Sequence, residues 1–153
     1  MNVFVINMGI FNRIIGHLGS TTPGIMGIIG ERDGVVVEVV FDGGMADWIN
    51  SESEDMRVKI DEVIHSWNAT GINFVGFIYN YRFREKWLTS TNIENAKKLL
   101  NRFNELPCII VGVIGEWNSL GYKSYEFKVY KFFRGGRRRI RYEMKEENCS
   151  NPC

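Results

Sequence analysis

The sequence predicts a single α/β domain in which a curved mixed β-sheet is flanked by helices. Two observations carry this prediction. Apolar residues repeat with a period of two in some segments and with a helical period in others. No internal repeat or low-complexity linker divides the 153 residues. We therefore expect one domain over residues 1–145 and a polar C-terminal tail over residues 146–153.

Short apolar runs bounded by turn residues predict the strands. The expected strands occupy residues 1–6, 25–29, 35–41, 72–79, 108–114, 125–133 and 137–144. Asp33-Gly34 favours the positive backbone angles of a tight turn, so residues 25–29 and 35–41 should form a hairpin. Arg134-Gly-Gly136 marks a second hairpin at the end of the chain.

Three helices are expected between these strands, over residues 8–18, from residue 55 to about 69, and from residue 89 to about 103. Apolar residues three and four apart, such as Ile60, Ile64 and Trp67, form the buried stripe of the second helix. Thr91 and Glu94 have capping-box spacing at the third helix, although Thr89 is an alternative cap. Residues 42–53 are expected to form a loop.

The composition excludes several classes of protein. With 44% hydrophobic and 24% charged residues, the chain is neither disordered nor collagen-like. Its formal net charge of +1 gives no global attraction to nucleic acid or membrane. Neither a spanning helix nor a secretion signal is expected.

Three cysteines do not make a disulfide framework, which favours a cytoplasmic location. Cys108 lies in an apolar run and should be a buried small side chain. Cys149 and Cys153 lie in the polar tail, where they could pair locally or bind a stray metal ion, although a solvated tail without a role is the favoured interpretation.

One spacing pattern is specific. The strand segment Val75-Gly-Phe-Ile-Tyr79-Asn-Tyr81 is followed, after seven residues, by Thr89-Ser-Thr-Asn92. This resembles the JAMM/MPN family of zinc isopeptidases, whose signature is His-x-His, seven residues, then Ser-x-x-Asp. The resemblance covers about residues 3–133 and implies a JAMM/MPN-like, cytidine deaminase-like fold.

The chemistry of that signature is absent from this sequence. Tyr79, Tyr81 and Asn92 replace the zinc ligands, and phenols with a pKa of about 10 are poor substitutes for imidazole. Thr21 lies nearest the position of the family's catalytic glutamate. We therefore expect no catalysis, metal or cofactor, and treat Thr21, Tyr79, Tyr81, Thr89 and Asn92 as a degenerate pocket, either filled or open. His17 and His65 lie on separate helices and are not expected to be ligands.

Because no catalysis is expected, the predicted function is binding. The resemblance implies a non-catalytic protein-interaction or assembly module, pairing with another MPN-like domain, a second copy or a different protein. Arg82, Phe83, Arg84 and Trp87 are the candidate interaction surface beside the degenerate pocket. A zinc-dependent hydrolase with an unconventional site is an alternative.

The second alternative is binding of nucleic acid or an acidic partner through the basic hairpin at residues 134–141. Strand alternation places Arg137, Arg139 and Arg141 on one face and Ile140 on the other. A charged face that merely discourages aggregation is the simpler interpretation of the same residues.

Overall fold

The computed structural model describes residues 2–18, 24–81 and 88–146. Its elements are β1 (Val3–Asn7), α1 (Met8–Leu18), β2 (Gly24–Arg32), β3 (Val35–Phe41), α2 (Met45–Asn50), α3 (Glu54–Ala69), β4 (Asn73–Tyr81), α4 (Ser90–Arg102), β5 (Cys108–Ser119), β6 (Tyr122–Phe133) and β7 (Gly136–Lys145). No helix among these residues has the length and apolarity that crossing a membrane requires.

The strands form a closed barrel in the order β1-β3-β2-β4-β5-β6-β7. The expected curved mixed sheet flanked by helices, and with it the JAMM/MPN-like, cytidine deaminase-like fold that the resemblance implies, is therefore wrong. The barrel closes because β1 lies between β3 and β7 and pairs with both of them in parallel. Hydrophobic periodicity identifies the buried faces of strands but not their partners, so it could not reveal a pairing between the first strand and the last.

One apolar core fills the barrel, and all seven strands contribute to it. Its strand residues are Phe4, Ile6, Met26, Ile29, Val36, Val39, Ile78, Ile110, Ile114, Phe127, Val129 and Ile140. Helix α1 begins directly after β1 and buries Ile10, Phe11, Ile14 and Leu18 in the same core. It thus covers the end of the barrel at which β1 finishes.

A second core lies outside the barrel, where α2, α3 and α4 cover β2, β4 and β5. Trp48 of α2 is fully buried there, and its indole Nε1 donates to Asp61 of α3 at 3.1 Å. Arg102 of α4 donates to the carbonyl oxygens of Trp48 and Ile49 at 2.9 and 2.6 Å. These bonds satisfy carbonyls at the end of α2 and join it to the other two helices.

A β-bulge in β4 decides which of its side chains face the interior. Ile29 pairs with Gly76 and Gly30 pairs with Phe74, so Val75 is an extra residue on β4. As a result Phe74 packs in the outer core, whereas Val75 packs against the core inside the barrel. Bulges commonly redirect a side chain in this way.

The local expectations have mixed outcomes. The Asp33-Gly34 turn is confirmed, with φ of 53° and 82° between two antiparallel strands. Thr89, rather than Thr91, caps α4. The expected loop at residues 42–53 is wrong in part, because Met45–Asn50 form α2. Cys108 is half-buried rather than buried.

Candidate functional site

Two of the degenerate-site residues, Tyr79 and Tyr81, lie in the outer core. Tyr79 is 2% exposed and Tyr81 is 7% exposed. The Tyr81 ring lies against Gly115 of β5, since a Cβ on that glycine would be 2.2 Å from Tyr81 Cζ. These aromatic side chains therefore fill the space between β4, β5 and the helices.

Thr89 and Asn92 contact each other at the start of α4. Thr89 Oγ1 accepts the Asn92 backbone N–H at 3.2 Å and the Asn92 side-chain amide at 2.7 Å. This is N-capping, which satisfies a helix N–H that would otherwise lack a partner. Helix capping is thus a physical reason for threonine and asparagine at this spacing. The other predicted positions, Thr21, Arg82, Phe83, Arg84 and Trp87, lie outside the described residues.

The structure brings neither histidine into a ligand cluster. His17 stacks on Phe41 with the ring centroids 4.0 Å apart, and His65 is exposed on α3. Among the residues that the structure describes, no three His, Cys, Asp or Glu side chains could hold a metal ion together.

Three of the four arginines of β7 lie on the outward face of the barrel, and we call these three, Arg137, Arg139 and Arg141, the arginine stripe. Ile140, between them, packs in the barrel interior, so its neighbours in the strand point outward. Alternate residues of a strand are about 6.6–6.8 Å apart, which sets the spacing of the stripe. Across the sheet, Arg139 pairs with Tyr130 on β6.

The electrostatic environment of the stripe is positive. Desolvation and then the charge of Arg139 lower the pKa of Lys128, while Glu126 acts in the opposite direction. Arg141 contacts Glu143 at 3.5 Å. Among the side chains that the structure describes, no carboxylate lies within the 4.0 Å ion-pair distance of Arg137 or Arg139.

A groove of about 430 Å³ adjoins the stripe between α4 and the β6–β7 hairpin. We call it the basic groove. Its lining includes Ile93, Lys97, Leu100, Phe132, Phe133 and Arg137. Leu100 and Phe132 are almost fully buried and form an apolar floor, whereas Lys97 and Arg137 are exposed cations on opposite sides. Phe133 is 37% exposed, which leaves an aromatic surface within the groove.

Arg134 closes one end of the basic groove. Its guanidinium donates to the carbonyl oxygens of Leu106, Leu100 and Asn104 at 2.8, 2.9 and 3.1 Å. These carbonyls follow or belong to the last turns of α4, so the side chain ties that helix to the hairpin. Although Arg134 belongs to the basic run in the sequence, its donors serve the fold.

Sequence reasoning identified the stripe as a candidate but not the groove. The groove depends on α4 packing beside β6, which joins residues such as Lys97 and Phe132 that are distant in sequence. A usable signal was present on α4, where Ile93, Lys97 and Leu100 follow at helical spacing and mix a cation with apolar residues.

Comparisons with known proteins describe the fold alone. A scan against protein-family models finds no match, and no curated protein matches the chain. The chain is similar to the solution structure of protein DSY2949 from Desulfitobacterium hafniense, with a TM-score of 0.59 and 15% sequence identity. The match covers 95% of this chain and 94% of that one.

Proposed function

We propose that this chain is a non-catalytic protein-interaction module that binds an acidic, extended segment of a partner protein. The basic groove receives an apolar side chain of that segment, and the arginine stripe contacts its carboxylates. The observation that supports this most strongly is the continuity of the two features through Arg137, which belongs to both.

The apolar floor favours a protein partner over a nucleic acid. Leu100, Phe132 and the exposed part of Phe133 offer burial to an aliphatic or aromatic anchor but no hydrogen bond to a phosphate. Aromatic and arginine residues are also the groups that contribute most at protein interfaces. The net charge of +1 adds no long-range attraction for a polyanion.

The spacing of the stripe favours an extended segment. Carboxylates on every second residue of an extended chain repeat at about 6.6–6.8 Å, which matches successive arginines on a strand. In β7, residues 136–140 pair with β6 and residues 141–145 pair with β1, and the proposed contacts are those of the arginine side chains rather than of a strand edge. Recognition therefore depends on side chains, and it should weaken as salt screens the charges.

A zinc-dependent hydrolase is not favoured, because the capping pair Thr89–Asn92 and the core residues Tyr79 and Tyr81 have structural roles of their own. A cytoplasmic location accords with the odd number of cysteines, 3, and with the half-buried thiol of Cys108.

The test is fluorescence anisotropy with a labelled peptide of about twelve residues that alternates glutamate with serine and ends in leucine. Each exposed ion pair contributes about 0.2–1 kcal/mol, so the double substitution Arg137→Ala, Arg139→Ala should weaken binding roughly two- to thirtyfold. Phe133→Ser should weaken binding of this peptide more than binding of a version that lacks the leucine.

Arg13→Ala is the matched control, since it removes an exposed cation from α1 and should leave the affinity unchanged. Equal affinity of the double variant and the unmodified protein would contradict the proposal. Tighter, equally stripe-dependent binding of single-stranded polyuridine would show instead that the stripe binds nucleic acid.

A further inference from the structure

The two ends of the barrel differ. Helix α1 covers the end at which β1 finishes. At the opposite end, where β1, β4 and β5 begin, a cavity of about 580 Å³ is open to the surface. We call this cavity the barrel mouth. It shares no lining residue with the basic groove, so it is independent of the function proposed above.

The floor of the barrel mouth is the apolar interior of the barrel. Ile110 belongs to the interior core, and Val75 and Cys108 pack against it while also lining the cavity. Val75 faces this way only because of the bulge in β4. Half-buried apolar side chains around a concave surface of this size are typical of sites for small molecules, which occur in the mouths of β-barrels.

The polar part of the barrel mouth is a fixed carboxylate. Glu31 Oε1 accepts the Asn73 side-chain amide at 3.2 Å, and its Oε2 accepts the backbone N–H of Gly34 at 2.8 Å. Both hydrogen bonds hold the carboxylate at the edge of the apolar floor. Each carboxylate oxygen can accept more than one hydrogen bond, so Glu31 can also receive a donor from a ligand.

From this geometry we propose that the barrel mouth binds a small, mainly apolar molecule that carries one hydrogen-bond donor, a hydroxyl or an amine. The volume lies within the roughly 300–1,000 Å³ of ordinary ligand pockets. The end of the described chain does not fill the site. Strand β7 is parallel to β1, with Lys145 opposite Asn7, so it ends on the side of α1.

The experiment uses N-phenyl-1-naphthylamine, an apolar fluorophore with one N–H donor. In a Cys149→Ser, Cys153→Ser background, Cys108 is the only thiol and can be alkylated with N-ethylmaleimide without a substitution at the site. The unlabelled protein should bind one fluorophore per chain with a blue-shifted emission. Labelling of Cys108 should lower the affinity at least tenfold while the circular dichroism spectrum stays unchanged.

Leu120→Cys in a Cys108→Ser version of this background is the matched control. Leu120 is 95% exposed at the β5–β6 turn, remote from the barrel mouth, so its labelling should leave the affinity unchanged. Failure of the fluorophore to bind saturably, or equal affinity before and after labelling of Cys108, would overturn the proposal.

Displacement of the fluorophore by 1-decanol, compared with its displacement by the methyl ether of 1-decanol, tests the role of Glu31. The alcohol should displace the fluorophore about tenfold better than the ether, because only the alcohol can donate to the carboxylate. Glu31→Ala should abolish this preference, while Glu31→Gln, which keeps an acceptor oxygen, should retain most of it. Equal displacement by the two compounds from the unsubstituted protein would exclude the proposed donor contact.

Discussion

Removal of the Arg134 guanidinium tests how the basic groove is held in shape. The side chain donates one part-buried hydrogen bond, to Leu100, and two exposed ones, to Leu106 and Asn104. Net contributions of about 1.5 kcal/mol for the first and about 0.5 kcal/mol for each of the others sum to about 2.5 kcal/mol. Arg134→Ala should therefore raise the unfolding equilibrium constant roughly 60-fold.

Urea unfolding followed by circular dichroism gives this free energy directly. Arg134→Lys should recover less than half of the loss, because a single ammonium group cannot reach three carbonyls with the geometry of a guanidinium. Arg139→Ala is the control, and it should change the free energy of unfolding by less than about 0.5 kcal/mol. A loss below about 0.5 kcal/mol for Arg134→Ala would refute the assignment of Arg134 as a tie between α4 and the hairpin.

Two further predictions concern the barrel and its pH dependence. A Cβ on Gly76 would lie 1.8 Å from the Ile110 carbonyl oxygen, so Gly76→Ala should destabilise the protein by about 3 kcal/mol or more. A Cβ on Gly16 of α1 would meet nothing within 4 Å, so Gly16→Ala should stabilise this helix by about 0.5–1 kcal/mol. Equal melting temperatures for the two variants would contradict the close pairing of β4 and β5. Partial burial raises the pKa of Asp42, but hydrogen bonds from Lys59 and a backbone amide, with the Lys59 charge, lower it overall below its usual 3.8. Because the folded-state pKa is depressed, this stabilisation is present above about pH 4 and is lost as the pH falls through the folded-state pKa. The difference in unfolding free energy between the protein and Asp42→Asn should therefore be constant from about pH 5 to 7 and shrink towards pH 2. A difference that does not change with pH would contradict a lowered pKa of Asp42 in the folded protein.

Local features of the fold could be predicted because local chemistry determines them. Helix α1 occupies Met8–Leu18, the residues expected from the spacing of its apolar side chains. Ile60, Ile64 and Trp67 are the buried residues of α3, as their stripe indicates. The Asp33-Gly34 turn follows from the ease with which these two residues adopt positive φ.

Non-local features could not be predicted in the same way. Closure of the barrel depends on β1 finding β7 at the other end of the chain, and no periodicity encodes that pairing. Helix α2 has 6 residues, too few to show a helical period, and it follows two glycines that indicate a loop. The basic groove could not be predicted for the same reason, because its walls come from segments that are distant in sequence, α4 and the β6–β7 hairpin.

The Tyr79 to Asn92 spacing illustrates how one pattern admits two explanations. As a resemblance to the JAMM/MPN family, it stays a prediction from sequence. In the structure, Tyr79 and Tyr81 are outward-facing residues of β4 that pack under the helices. Thr89 and Asn92 form a helix cap. Core packing and capping are thus physical roles for these four residues that do not depend on a metal site.

The most direct measurement of the central claim is a titration of ¹⁵N-labelled protein with the acidic leucine-ended peptide, followed by NMR. We expect the backbone amides of β6, β7 and α4 to shift together with a single affinity, and the Arg137→Ala, Arg139→Ala variant to need several times more peptide for the same shifts. Shifts confined to residues outside these three elements, or shifts that the double substitution leaves unchanged, would contradict it.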